Sequence, residues 1–371
     1  MAYKEHIKTR PEVIAATAVG LLDDELLLPN LFTQVSFDQY KGAKDDTVNI
    51  KVPGLLPARQ YRFRNDRSEG IEFDQYTETT VPITFTGDRL YSAVQLTDEQ
   101  NDFDQITVND LMPIQARAVA RGVEYEAARV MESGEYEVTI GGAEKNLYQS
   151  LVEARKVLRK FRSQGKYNLV VGTDFEAALL LDPRFTTHVS VGDEAPAVVR
   201  SGNIGNWLGF NIFVSDIIAP DTAYAFSDAA FGSVTAAPYI PNSVPFGSTA
   251  TYNGKSLRWI RDYDARYLVD RSVVDVYYGA KQIKDRGFVV VDEARIKADA
   301  KKANNGVKFA EKVLDSEVNV RSLKITLGGA SKLGSNSEFN TAVGLKAPKI
   351  EAPAAPVAPA APAPASPGAA A

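Results

Sequence analysis

Of 371 residues none is cysteine, and only two, His6 and His188, are histidine. The first absence excludes a disulfide framework, a zinc-thiolate site, an iron-sulfur cluster and a cysteine nucleophile together. The second leaves histidine-based catalysis poorly supplied, because the two imidazoles stand far apart and neither has a partner at ligand spacing. Long apolar runs are missing too. No window approaches 18 uninterrupted apolar residues, and the start MAYKEHIKTRPEV lacks the basic opening and apolar core of a signal peptide, so no membrane partner is expected. Charge of one sign is not in large excess: 42 Lys+Arg stand against 47 Asp+Glu, a net −5. Residues 1–290 carry 31 basic and 39 acidic side chains and residues 291–371 carry 11 and 8. Neither part is basic enough for a dedicated nucleic-acid binder.

Motifs that carry chemistry are equally scarce. Gly254-Lys255-Ser256 imitates the end of a phosphate loop, but Thr249 stands where its first glycine belongs and a strand pattern follows. The glycines Gly202, Gly205 and Gly209 miss the dinucleotide spacing and read as turn chemistry. Asp262-Tyr263-Asp264 offers a cation at most two ligands on one side of a strand, so a solvated or salt-bridged strand is the expected reading. No nucleophile elbow, HExxH helix or EF-hand loop occurs. The expectation is a chain with no catalytic residue, no cofactor and no metal site. Carboxylates distant in sequence leave a carboxylate-dependent hydrolase as the alternative from another class.

What is present is a core-forming chain, 44 % hydrophobic and 24 % charged, with a clear order of parts. Residues 10–28 predict an amphipathic helix with Val13, Ile14, Ala18, Leu21 and Leu22 on one side, ending at Pro29-Asn30. Such a helix needs another body to lie on, a neighbouring subunit being one choice. An extended run, Leu31 to Tyr40, follows it. Alternation over 47–53 predicts a strand, and then comes a hairpin. Tyr61 and Phe63 share one face of its first limb, and Arg62 and Arg64 the other. Ile71 and Phe73 share one face of the returning limb, with Glu72, Asp74 and Glu78 opposite. Arg59, Arg62 and Arg64 either pair with Glu72, Asp74 and Glu78 across the hairpin or meet complementary charges on an adjacent copy. A ribbon of this length is barely stable alone, which favours a surface beneath it.

Residues 109–132 predict a long helix capped by Asn109 or Asp110, with Pro113 in its first turn and a stripe of Met112, Ala116, Val119, Val123, Ala127 and Val130 suited to packing on a sheet. Leu147 to Phe161 predicts a second amphipathic helix, basic on its outer face and stopped by Gly165. A buried strand, Asn168 to Val171, comes next. A short helix, Phe175 to Leu181, is then opened by a Thr173/Glu176 capping box and ended by Asp182-Pro183. Strands are expected at 210–214, at 223–226 and within 255–278, with a weaker β pattern near 318–327 and a lysine-rich helical stretch at 294–303. The last 25 residues hold 12 alanines and 7 prolines, which reads as a disordered or polyproline-like tail.

This order resembles that of tailed-bacteriophage major capsid proteins of the Hong Kong 97 fold. The resemblance is carried by the run Gly202-Asn203-Ile204-Gly205-Asn206-Trp207-Leu208-Gly209-Phe210-Asn211-Ile212-Phe213-Val214-Ser215, and by Ser256-Leu257-Arg258 to Asp264 with Asp270-Arg271-Ser272-Val273-Val274. It covers roughly residues 10–295. It implies an α+β fold with an N-terminal arm at 1–40, an extended loop at 41–95, a peripheral domain with a spine helix at 96–145 and 256–290, and an axial domain at 146–255. Residues 291–346 would form a C-terminal extension without an assigned role, and 347–371 the Ala/Pro-rich tail. The implied function is self-assembly into pentamers and hexamers of an icosahedral shell around double-stranded DNA held by non-specific contact. A scaffolding protein and a portal would assist and a decoration protein would be a further partner, with assembly in the bacterial cytoplasm and residence in the virion. An encapsulin-like compartment is the alternative within the fold, and an adhesion protein is disfavoured by the missing export signal. Some relatives of this kind crosslink through a loop lysine. The loop core 54–80 contains none, and Lys41, Lys44 and Lys51 stand only at its base, so no crosslink is expected.

Overall fold

The long helix predicted at 109–132 organises the molecule, and the sheet that its stripe of small side chains needs is there. The computed structural model describes residues 11–36, 47–54, 56–58, 73–85, 89–103, 108–142, 147–161, 165–182, 205–244, 246–284, 289–291, 311–313, 318–319, 321–336 and 340. The chain opens with α1 (Pro11–Glu25), α2 (Leu28–Leu31) and β1 (Thr33–Ser36), followed by the ribbon strands β2 (Thr47–Val52) and β3 (Thr79–Thr84). Next come β4 (Leu90–Thr97), α3 (Asp98–Phe103) and the spine α4 (Val108–Glu132). A second unit holds β5 (Val138–Gly142), α5 (Leu147–Lys160), β6 (Tyr167–Val171), α6 (Thr173–Leu181), β7 (Asn206–Trp207), β8 (Phe210–Val214) and β9 (Thr222–Ser227). The chain then returns through β10 (Phe231–Ala236), β11 (Phe246–Tyr252), β12 (Lys255–Asp264) and β13 (Val269–Gln282). It closes with β14 (Val289–Val291), β15 (Glu311–Val313), β16 (Ser322–Leu327) and β17 (Lys332–Leu333).

The first sheet is built on β13, whose first half pairs antiparallel with both β12 and β4 while its second half pairs with β10. Strand β1 adds to β10 in parallel, and β11 to β12 antiparallel. Helix α4 covers this sheet over β13 and β4, and α1 lies beside it over β11 and β12. Their shared core takes Met112, Ala116, Val119 and Val123 from α4, Ile14, Ala18, Val19 and Leu22 from α1, and Leu257, Trp259, Val274 and Val276 from the strands. One buried polar relay pins the spine to the sheet. The Trp259 indole N–H donates to Ser272 Oγ at 3.0 Å, Ser272 Oγ donates to Gln115 Oε1 at 2.9 Å, and Gln115 Nε2 donates to the Ser272 carbonyl at 3.0 Å.

The second sheet has the order β17-β5-β16-β9-β6-β8-β7. Because strand side chains alternate between faces, β6 and β9 serve two cores. Val170, Tyr224 and Phe226 pack toward the spine, while Leu169, Val171, Ala223 and Ala225 pack against α5 and α6. Strand β16 sits in the middle of this sheet, parallel to β5 and antiparallel to β9. The extension 291–346, which had no assigned role, therefore supplies a central strand.

Several local expectations are corrected. Helix α1 ends at Glu25 rather than near 28, Val13 is 57 % exposed, and the helix rests on its own chain. The spine begins at Val108, which puts Pro113 beyond the first turn. The capping box at Thr173 does not form: Gly172 is the N-cap, and the Pro220 carbonyl accepts the N–H groups of Asp174 at 3.1 Å and Phe175 at 3.0 Å instead. A tertiary acceptor has replaced the local one. The expected line between 146–255 and 256–290 runs through strand β12, because β10 and β11 already belong to the first sheet. The lysine-rich stretch 294–303 and the tail 347–371 lie outside the described residues.

Candidate assembly surfaces

The ribbon root is the first surface. Strands β2 and β3 pair antiparallel from Thr47–Thr84 to Val52–Thr79. Val48, Val52, Val81 and Ile83 are buried beneath them, with Ile283 in the same cluster as Val52 and Val81. The seat is made by glycine. A Cβ on Gly232 would lie 2.5 Å from Ile50 Cδ1, and one on Gly279 would lie 3.0 Å from the Thr84 carbonyl oxygen. The Lys281 amine donates to the Pro82 carbonyl at 3.0 Å and fastens β3.

Beyond the root the described residues of the two limbs are mostly exposed. Among the described residues of the limbs Leu56 is 53 % and Phe73 94 % exposed. Asp74 and Glu78 are exposed as well, and the Tyr76 hydroxyl donates to Glu78 at 3.3 Å. Residues 73–78 do not form the strand expected over 71–78; pairing begins only at Thr79. All six are exposed, so the burial that would stabilise a two-stranded ribbon is lacking there. Arg59, Arg62, Arg64 and Glu72 lie outside the described residues.

The arm is the second surface, and polar contacts hold it that the sequence reading missed. Glu124 on α4 is buried, and its carboxylate accepts the backbone N–H groups of Leu27 and Leu28, the latter at 3.0 Å. Burial pushes its pKa up to about 7, against the opposing pull of those N–H groups and of Lys255, with Asp216 adding to the rise. The fully buried Lys255 amine is engaged by Asp23 and Asn30, and Asn253 Nδ2 donates to Asp23 at 2.9 Å. The lysine of the imitation phosphate loop thus already binds a carboxylate of the arm. Arg117 Nε and Glu25, 3.0 Å apart, close the same junction.

The third feature is a ladder of ion pairs between β12 and β13. Arg258 meets Asp275 through Nε at 2.9 Å and Nη2 at 2.5 Å, both residues buried, and Arg89 reaches the same carboxylate at 3.3 Å. Arg261 pairs with Asp270, and Arg271 holds both Asp262 and Asp264, at 3.1 and 3.0 Å. Asp262 and Asp264 are salt-bridged strand residues. Among the described residues no group of three or more His, Asp or Glu side chains is placed to hold a metal ion, and no helix is long and apolar enough to cross a membrane.

An arm clamped to a spine, a projecting limb with uncovered apolar side chains and two sheets sharing one core describe a building block. Residues 84–291 match the family described as phage capsid protein. Among solved structures the fold resembles that of Mycobacterium phage Che8, with a TM-score of 0.52 and 16 % identity over 81 % of this chain and 90 % of that one. It also resembles the mature capsid of bacteriophage PhiM1, at 0.52 and 11 % over 82 % and 87 %. No curated protein matches the sequence. The architecture is the α+β fold of Hong Kong 97-type capsid proteins, and since the family match spans more than half of its length, the chain belongs to the phage capsid protein family.

Proposed function

We propose that this chain is the major capsid protein of a tailed phage, whose copies form pentamers and hexamers that close into an icosahedral shell around double-stranded DNA. The observation that carries the reading is the ribbon: a root seated on glycines, and limbs exposing Leu56 and Phe73 that nothing in their own chain covers among the described residues. Apolar side chains held out on a two-stranded stem are stabilised when a neighbouring copy lies under them. On this reading Arg59, Arg62, Arg64, Glu72, Asp74 and Glu78 meet charges of that neighbour. The unit built on α4 and β13 is the peripheral domain and the unit built on β6 and β9 the axial domain.

A scaffolding protein and a portal guide closure in the host cytoplasm, and a decoration protein is a further partner of the finished shell. The net charge of −5 suits a container that holds DNA by weak, non-specific contact, since many lysine and arginine contacts to phosphate would bind it tightly. Membership of a phage capsid family favours a genome container over an encapsulin-like cargo compartment and over a hydrolase. The test is to express the chain with and without the phage's scaffolding protein and to measure mass by light scattering and shape by negative-stain microscopy. Rings or closed shells are the expected result, and a monomer under both conditions overturns the reading. Reversing Arg62 and Arg64 to glutamate tests the loop separately: unchanged assembly at physiological salt removes those charges from the interface.

A further inference from the structure

Helices α1 and α4 cover the side of the first sheet that presents Leu257, Trp259, Val274 and Val276. Strand side chains alternate between faces, so Tyr91 of β4, Asp275 of β13 and Arg258 of β12 lie on the other side, directly opposite one another across neighbouring strands. The ribbon root covers the Gly279 end of that side. The rest stays open, with Tyr91 68 % and Tyr239 76 % exposed.

Three tyrosines surround one ionic cluster on this open face. Arg258, paired with Asp275, donates through Nη1 to the Tyr239 carbonyl. Arg89 reaches the same Asp275 at 3.3 Å, donates to the Tyr277 hydroxyl, and holds its guanidinium 4.8 Å from the centre of the Tyr277 ring. Beside the cluster Ala93, Val273 and Ile260 stand opposite one another as an apolar row, the first exposed and the others half-buried. The face is aromatic and shallow, and its buried charges are already paired.

The chain itself contains a segment shaped for such a face. Among the prolines of the tail, Pro353, Pro356, Pro359 and Pro362 recur at strict intervals of three, with only alanine and valine between them, and no residue beyond Glu351 is charged. A plain spacer needs no such period. A polyproline II helix has three residues per turn, so this period sets all four rings on one ridge, repeating every ~9.3 Å. Strands β4 and β12 flank β13 and stand two strand spacings apart, about 9.6 Å. The two repeats agree. Proline-rich segments dock on aromatic surfaces because their helix is formed before binding and costs little entropy.

We infer that residues 353–362 bind as a polyproline II helix across the tyrosine face of the first sheet of their own chain, successive prolines meeting the Tyr91 and Tyr239 sides. The linker from Asn340, the last described residue, to Pro353 extends to at most about 45 Å. That is about twice the radius of gyration of a compact chain of this length. Tethering makes the encounter intramolecular, at an effective concentration on the order of millimolar, so an uncharged segment of weak intrinsic affinity suffices. The contact concerns a single chain and does not rest on the capsid reading.

The test places the photocrosslinking residue p-benzoylphenylalanine at Tyr239, Tyr91 or Tyr125 of the full-length chain, kept dilute and unassembled. Tyr125 is 60 % exposed and lies on the spine helix, on the opposite side of the sheet. Trypsin cuts after Lys349 and releases the tail as residues 350–371. Probes at Tyr239 and Tyr91 should join this peptide within one chain, and the probe at Tyr125 at least tenfold less. Exchanging Pro356 with Val357 and Pro359 with Ala360, as P356V/V357P/P359A/A360P, keeps the composition and breaks the period. It should lower the yield at least tenfold, and an undiminished yield overturns the proline ridge. Products without residues 350–371 overturn the docking, and residues 54–80 in their place assign the face to the ribbon. Products of twice the chain mass put the tail on another copy and overturn the contact within one chain.

A second measurement needs no probe. Elastase cuts after small side chains such as Ala354 and Ala360, and a docked segment resists it. Y91A/Y239A removes two exposed rings and leaves the Tyr239 carbonyl to Arg258. Its tail should be cut at least tenfold faster than that of the unaltered chain, with thermal melts of the two within a few degrees. Equal rates of cleavage overturn the contact.

Discussion

The Glu124 carboxylate, on the spine helix, accepts the backbone N–H groups of both Leu27 and Leu28 on the arm. A buried carboxylate whose folded-state pKa is raised to about 7 from 4.5 favours the protonated form in the folded state. Its contribution to stability is therefore fully present below about pH 4.5 and is lost as pH rises through about 7. Glu124→Gln keeps an oxygen acceptor for the N–H groups and removes the charge. The variant should match the parent near pH 5 and exceed it near pH 8, by on the order of 1–3 kcal/mol. Thermal melts of both chains at the two pH values check this, and a constant gap between them would assign the pH response to other groups. Glu124→Ala leaves two N–H groups without acceptors and should destabilise by about 1–3 kcal/mol for each that water cannot reach.

The ribbon root depends on two missing side chains. A Cβ at Gly232 meets Ile50 Cδ1, which can rotate away, but one at Gly279 meets the Thr84 backbone, which cannot move without shifting β3. Gly279→Val should therefore lift the ribbon off its seat and destabilise by about 1–3 kcal/mol, with Gly232→Ala milder. Shell yield and thermal melts separate the effects. A Gly279→Val chain that assembles like its parent would show that the seat is not needed.

What could be read in the sequence was what repeats locally. The stripe from Met112 to Val130 foretold the spine and its sheet because helical spacing is set within a few turns. One local signal was overlooked: Asn253-Gly254, with φ of 48° and 76°, forms the two-residue turn between β11 and β12. Gly254 is also the first residue of the imitation phosphate loop Gly254-Lys255-Ser256. The clamps on the arm were not legible, because Asp23 meets Lys255 and Leu28 meets Glu124 across more than 90 residues of chain. Strand β16 was foreseen as a weak β pattern, but its insertion between β5 and β9 follows from tertiary packing that a periodicity cannot carry. The charges of the loop were legible in number and alternation and not in partner, since residues 73–78 bury no face among the described residues.

Arg258 and Asp275 face each other in a buried antiparallel pair joined by two hydrogen bonds. Removing one partner strands the other charge, so Asp275→Ala should destabilise by about 3–5 kcal/mol. Replacing both with apolar residues of similar volume should cost far less. Arg89 tempers the second expectation, because it shares the Asp275 carboxylate and would lose its partner too. Urea unfolding of Asp275→Ala, Arg258→Met and the double variant checks the ordering. A double variant as unstable as Asp275→Ala would show that the pair itself, and not the avoidance of a lone charge, sets the cost.

Shells of this chain should be held together without covalent bonds between copies. An isopeptide bond from the loop needs a lysine amine that can reach an amide on another copy, and residues 54–80 supply none. Lys51 is nearest in the described chain, but it lies on β2 opposite Thr80, within the ribbon root and short of the limbs that project. Mature particles heated in denaturant should therefore run as a single band of the unit chain on a gel. A ladder of multiples would place a crosslinking lysine outside residues 54–80. Moving a lysine into the exposed limb, as Gln75→Lys, tests whether its absence is the reason: a ladder that appears only then would show a ready acceptor on the neighbouring copy, and a single band in both would place the limb away from any such amide.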